Sequence, residues 1–185
     1  MSSHSLGSKT EVGDAFPNVA VHVGFAGLDP NNVKMSGDLA AKGKTLHPFL
    51  HLWIPCHQIP GLMKAEKDGS LKEAGVDKVF IFSANDGAVM TAWKEAQGIP
   101  ADSIIEFVAD TQSSLTVALD IVLTTHPGPA AVLGAHTIRC KRTCIVVVDG
   151  TIKVIQIAEA MDDPAGDSKP DATLIENMLP AIKSA

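Results

Sequence analysis

The chain has 185 residues, a length that suits one domain with a core of its own. Hydrophobic residues make up 45% of it and charged residues 19%, a globular composition that excludes a disordered chain. A net charge of −6 leaves no basic footprint for nucleic acid or an anionic membrane.

Residues 1–10 are Ser-rich and read as a flexible N-terminus ahead of a domain over 11–185. They have neither the charged and apolar regions of a secretory signal nor the Arg-rich pattern of a transit peptide. The longest nearly uncharged apolar stretch, Leu46 to Met63, carries three histidines and three prolines, unlike a bilayer-spanning helix. The three cysteines are Cys56, Cys140 and Cys144. So low and odd a number argues against a disulfide framework and fits a reducing compartment, so the expected location is the cytosol.

Residues 18–25 alternate apolar and polar, as a half-buried strand does. Leu28 to Asn32 is a turn, and Val33 to Ala41 is a short surface element broken by Lys42-Gly43-Lys44. Phe49 to Ile54 reads as a central strand ended by Pro55, which cannot donate into a ladder. Ile59 to Ala74 reads as one helix stopped by Gly75. Val79 to Ser83 is a continuous apolar run, the mark of a strand buried on both faces. Asn85 is the expected cap of a helix to Gln97, with Asp86 as a first-turn acid. The apolar stripe of that helix is Ala88, Val89, Ala92, Trp93 and Ala96. Ile104 to Ala109 is a further strand, and Ser113 or Ser114 caps a short helix through Leu119. Arg139 to Val148 is a strand, and Asp149-Gly150 turns it into Ile152 to Ile157 as a hairpin. Asp171 or Thr173 opens a last helix to Lys183. Strands alternating with helices make an α/β chain whose central mixed sheet is flanked by helices, with a hairpin at one side.

Several side chains invite chemistry and have plainer readings. His136, Cys140 and Cys144 fall four apart, but strand geometry puts the two cysteines roughly 13 Å apart, too far for a shared zinc or a disulfide. Cys144 is expected in the core. His47 and His51 are expected at core or edge positions. No Gly-rich turn joins a strand to a helix around Gly128 and Gly134, so no phosphate cradle is expected there. No cofactor and no metal is expected.

Five blocks carry a family resemblance. They are Val12-Gly13-Asp14 through Pro17, Ile59-Pro60-Gly61, the stretch Val79 to Gly98 with its Ser-Ala-Asn-Asp and Trp93, Phe107 to Asp110, and Lys141-Arg142 through Gly150. Together they resemble the type II peroxiredoxins of the redoxin superfamily over most of residues 11–180. The resemblance implies a thioredoxin-like fold and a thiol peroxidase. In that family a cysteine thiolate at a helix N-terminus, near an Arg, attacks the peroxide O–O bond and becomes a sulfenic acid. Arg142 matches the family's active-site Arg. Cys56 is then the candidate nucleophile, with His57 beside it as a further source of positive charge.

The family's Pro-x-x-x-Thr-x-x-Cys signature is absent. Only Ile54, Pro55, Cys56, His57 and Gln58 stand between Trp53 and Ile59-Pro60-Gly61, and no Thr precedes Cys56 at the family's spacing. Counted back from Ile59, Cys56 lies two residues late, and Ile54 takes the family cysteine's place. The segment Asp167 to Leu174 has no resolving cysteine. A one-cysteine peroxidase for hydrogen peroxide or alkyl hydroperoxides, reduced by an external thiol of the thioredoxin, glutaredoxin or glutathione type, is the first reading. A catalytically inactive binding or regulatory protein on the same fold is the second. The resemblance also implies a homodimer formed through the edge near the active-site loop. Neither a nucleic acid nor a membrane is an expected partner.

Overall fold

A computed structural model of the chain describes residues 10–25, 27, 29–50, 58–123, 138–159 and 170–185. Among these, seven strands form one sheet: β1 (Ala20–His22), β2 (Val33–Met35), β3 (Lys44–Phe49), β4 (Val76–Ser83), β5 (Ile105–Ala109), β6 (Thr143–Val148) and β7 (Thr151–Ile157). Their order across the sheet is β2-β1-β5-β4-β3-β6-β7. The central strands β3, β4 and β5 run parallel, so their carboxyl ends lie at one edge. β6 runs antiparallel to β3 and returns through β7. The turn between them takes Asp149 and Gly150 into the left-handed region, with φ of 48° and 76°, which the Asp-Gly pair tolerates.

The helices are α1 (Ser36–Leu39), α2 (Gln58–Lys67), α3 (Ser70–Glu73), α4 (Gly87–Ala96), α5 (Ser114–Ala118) and α6 (Ile175–Ser184), the last preceded by a 3-10 turn over Pro170–Thr173. The central strands bury both faces, and their side chains alternate strictly. Val79, Ile81, Cys144 and Val146 join Ile59, Leu62, Leu71, Ile175, Met178 and Ile182 in one core. Phe80, Phe82, Ile145 and Val147 join Phe16, Leu115 and Leu119 in the other. This is why these strands read as continuous apolar runs.

Several expectations are corrected. The central strand spans Lys44–Phe49, upstream of the expected Phe49 to Ile54, and 51–54 lie outside the described residues. Pro48 interrupts the run in sequence, yet the pairing with β6 continues straight through it, Pro48 opposite Cys144. The expected helix Ile59 to Ala74 is two helices, because Gly69 takes a φ of 84° between α2 and α3. The expected strand Arg139 to Val148 begins only at Thr143, and Cys140 lies ahead of it in an isolated bridge to Val122. On α4 the cap is Asp86, which accepts from the Val89 amide at 2.8 Å, and not Asn85. The fully buried positions of α4 are Gly87 and Met90. Trp93 is half-buried with its edge to Phe107, while Ala88, Ala92 and Ala96 face solvent. Ser113 precedes α5 but sits at a φ of 55° with its hydroxyl on the Ile138 carbonyl. Asp110 caps instead, accepting from the amides of Leu115 and Thr116 and from the Thr116 hydroxyl.

Candidate active site

β3 ends at Phe49, which pairs with Thr143 at the start of β6. This register brings Arg142 beside the outgoing end of β3. The chain re-enters the described residues at Gln58, the first residue of α2. Arg142 is 2% exposed, and its Nη1 donates to the Gln58 Oε1 at 2.8 Å. Gln58 is also 2% exposed. Its Nε2 donates to the Thr173 carbonyl at 3.2 Å and to the Thr173 Oγ1 at 2.8 Å. The Thr173 hydroxyl donates onward to the Pro170 carbonyl at 3.0 Å. Three buried polar side chains from three separate stretches of the chain thus form one row at the N-terminus of α2.

The chemistry of this corner is electropositive. The first turn of a helix presents amide hydrogens, and a guanidinium keeps its charge throughout the physiological range. A carboxamide accepts the bond from Arg142 without cancelling that charge. An anion such as a thiolate is favoured in these surroundings.

Of the sequence candidates, Arg142 is the one the described residues contain. Cys56 and His57 directly precede Gln58 in the chain and lie outside the described residues, as do His51 and His136. His47 is wholly buried on the opposite face of the sheet, its ring centroid 4.5 Å from that of Phe16. Its Nε2 lies 2.8 Å from the Thr45 Oγ1, and burial pushes its pKa down to about 3. Cys140 and Cys144 are buried thiols, each pushed up to about 12, mainly by desolvation. Among the described residues no group of three or more His, Cys, Asp or Glu side chains is arranged to hold a metal. No helix among them is long and apolar enough to cross a membrane.

Sequence reasoning missed Gln58 and the inward role of Thr173. Gln58 carries a weak signal: a polar residue opening an apolar helix directly after the candidate cysteine. Thr173 was expected as a cap, and only the fold brings residue 173 to residue 58. A second feature was missed at the carboxyl ends of β4 and β5. There an open cleft of about 410 Å³ is lined by Asn85, Asp86, Thr111, Gln112, Ser113 and Arg139 together with the apolar Ala84 and Ile138.

A mixed sheet with α2 leading away from the end of its central parallel strand defines the class, a thioredoxin-like redoxin fold. The Redoxin family profile matches residues 11–174, and the chain belongs to that family. The chloroplastic peroxiredoxin-2E of Arabidopsis thaliana is 30% identical over 156 residues, covering 80% of this chain and 62% of that protein. The chloroplastic peroxiredoxin-2E-2 of Oryza sativa subsp. japonica is 35% identical over 101 residues, covering 55% of this chain and 42% of that protein. The chain therefore spans less than two thirds of the length of either plant relative. Among solved structures, peroxiredoxin 5 from Alvinella pompejana superposes with a TM-score of 0.73 at 21% identity, over 95% of this chain and 99% of that one.

Proposed function

We propose that the protein is a thiol peroxidase for hydrogen peroxide or small alkyl hydroperoxides, with Cys56 as nucleophile and Arg142 as its electrostatic partner. The observation that carries the reading is the bond from Arg142 to Gln58, the residue that opens α2 two positions after Cys56. The peroxiredoxin relatives and the redoxin fold support it as well. The Cys56 thiolate attacks the distal peroxide oxygen, the O–O bond breaks, and the leaving oxygen takes a proton to depart as water or an alcohol. The sulfur is oxidised to a sulfenic acid. An external thiol then condenses with it, releasing water, and a second thiol reduces the mixed disulfide. His57 adds positive charge beside the thiolate. The reading includes a homodimer in the cytosol. The dimer rests on the family resemblance and the cytosol on the low cysteine count, while both plant relatives bear chloroplastic names.

The test is hydrogen peroxide consumption with dithiothreitol, comparing wild type with Cys56→Ser while trapping sulfenic acid on Cys56. Turnover above the free-thiol background that Cys56→Ser abolishes is the expected result. Background turnover with Cys56 unoxidised would sink the reading and leave a redoxin fold with a non-catalytic role.

A further inference from the structure

The row Arg142–Gln58–Thr173 has a direction imposed by its chemistry. A guanidinium can only donate, and a backbone carbonyl can only accept. Between the Arg142 guanidinium and the Thr173 carbonyl, the Gln58 carboxamide has one workable orientation, oxygen toward Arg142 and nitrogen toward Thr173. Both hydrogens of Nε2 are used, one on the Thr173 carbonyl and one on its Oγ1. The Thr173 hydroxyl can accept the second because its own hydrogen goes to the Pro170 carbonyl. Arg142 and Gln58 are each 2% exposed and Thr173 3%, so water does not compete for these bonds.

We propose that Thr173 and Gln58 are positioning residues, through which the turn Pro170–Thr173 holds the Arg142 guanidinium at the N-terminus of α2. The turn that leads into the last helix thereby sets the electrostatics of a site carried on α2 and on the residue just before β6. A Glu at position 58 could not do this, since its carboxylate would face the Thr173 carbonyl without a donor. The effect on turnover rests on the peroxidase reading, whereas the positioning itself does not.

The experiment compares Thr173→Val, which keeps the shape and loses the hydroxyl, with Thr173→Ser, which keeps the hydroxyl. Two readings are taken: kcat/KM for hydrogen peroxide, and the NMR resonances of the Arg142 guanidinium. The chain holds only two arginines, so an Arg139→Lys sample assigns them. Thr173→Val is expected to lower kcat/KM about fivefold to tenfold, the scale of one net hydrogen bond, and to shift the Arg142 resonances. Thr173→Ser is expected to stay near wild type in both. With an active wild type, either reading unmoved in Thr173→Val overturns the inference, a fall in turnover alone marking a merely structural loss. If the wild type consumes no peroxide, the peroxidase reading fails by itself, and the Arg142 resonances alone decide the positioning. Should Thr173→Val not fold, Thr173→Ala carries the same expectations.

Discussion

Gly24 and Gly87 meet backbone to backbone, so closely that a β-carbon on Gly87 would fall inside the Gly24 carbonyl oxygen. The contact fixes the chain beyond β1 against the first turn of α4. Gly87→Ala must push the two apart and is expected to cost about 3 kcal/mol. Gly98 has nothing within 4 Å of its missing β-carbon and a φ of 67°, so Gly98→Ala should cost only about 1 kcal/mol. Urea unfolding of the two variants, with equal losses, would contradict the claim of a steric contact at Gly87.

Asp110 holds the start of α5 with three hydrogen bonds to Leu115 and Thr116, all buried. Asp110→Ala strands two amides and a hydroxyl and is expected to cost about 3 kcal/mol. Thr116→Val removes one of the three and should cost about 1 kcal/mol. A thermal melt of Asp110→Ala close to wild type would show that the cap is dispensable.

His47 makes the fold acid-sensitive. Its folded pKa is about 3 against an ordinary 6.5, because burial disfavours the imidazolium. Below the ordinary value the unfolded chain binds the proton that the folded chain refuses. Stability from this group is thus full above pH 6.5 and falls as the pH drops from 6.5 toward 3. The slope is about 1.4 kcal/mol per pH unit. The Nδ1 atom has no hydrogen-bond partner among the described residues, and Phe16, Phe80 and Phe82 surround the ring. His47→Phe should therefore fold and flatten that part of the acid slope. Parallel wild-type and variant curves of stability against pH would refute the assignment.

Cys140 and Cys144 are buried, with thiols pushed up to about 12, so neither supplies a thiolate at neutral pH. A Cys56→Ser variant leaves only these two thiols. Native, it should not react with Ellman's reagent in mildly alkaline buffer; in guanidinium it should yield both. Prompt reaction of the native variant would mean that one of these sulfurs reaches solvent.

The fold was largely legible because its strongest signals are local. Val79 to Ser83 announces burial on both faces through composition alone, and Asp149-Gly150 announces its hairpin through backbone tolerance. Errors arose where a local rule met a tertiary exception. The apolar run from Phe49 reads as the central strand, yet β3 runs through Pro48 and ends at Phe49, because β6 pairs with the residues upstream. Ser113 looks like a cap, but Asp110 reaches forward five and six residues, beyond the spacing of a local capping box.

By itself the sequence determined the class of the chain, the alternation of its strands and helices, and the candidates Cys56, His57 and Arg142. Those follow from periodicity, turn chemistry and family blocks, all properties of contiguous residues. Only the tertiary structure decided that Arg142 turns inward onto Gln58 and that Thr173 orients that carboxamide. Residues 58 and 173 lie 115 positions apart, and no local pattern encodes a hydrogen bond across such a separation. It exists because the register of β3 with β6, and the packing of α2 against α6, bring three buried polar groups together. Once buried, such groups must satisfy one another.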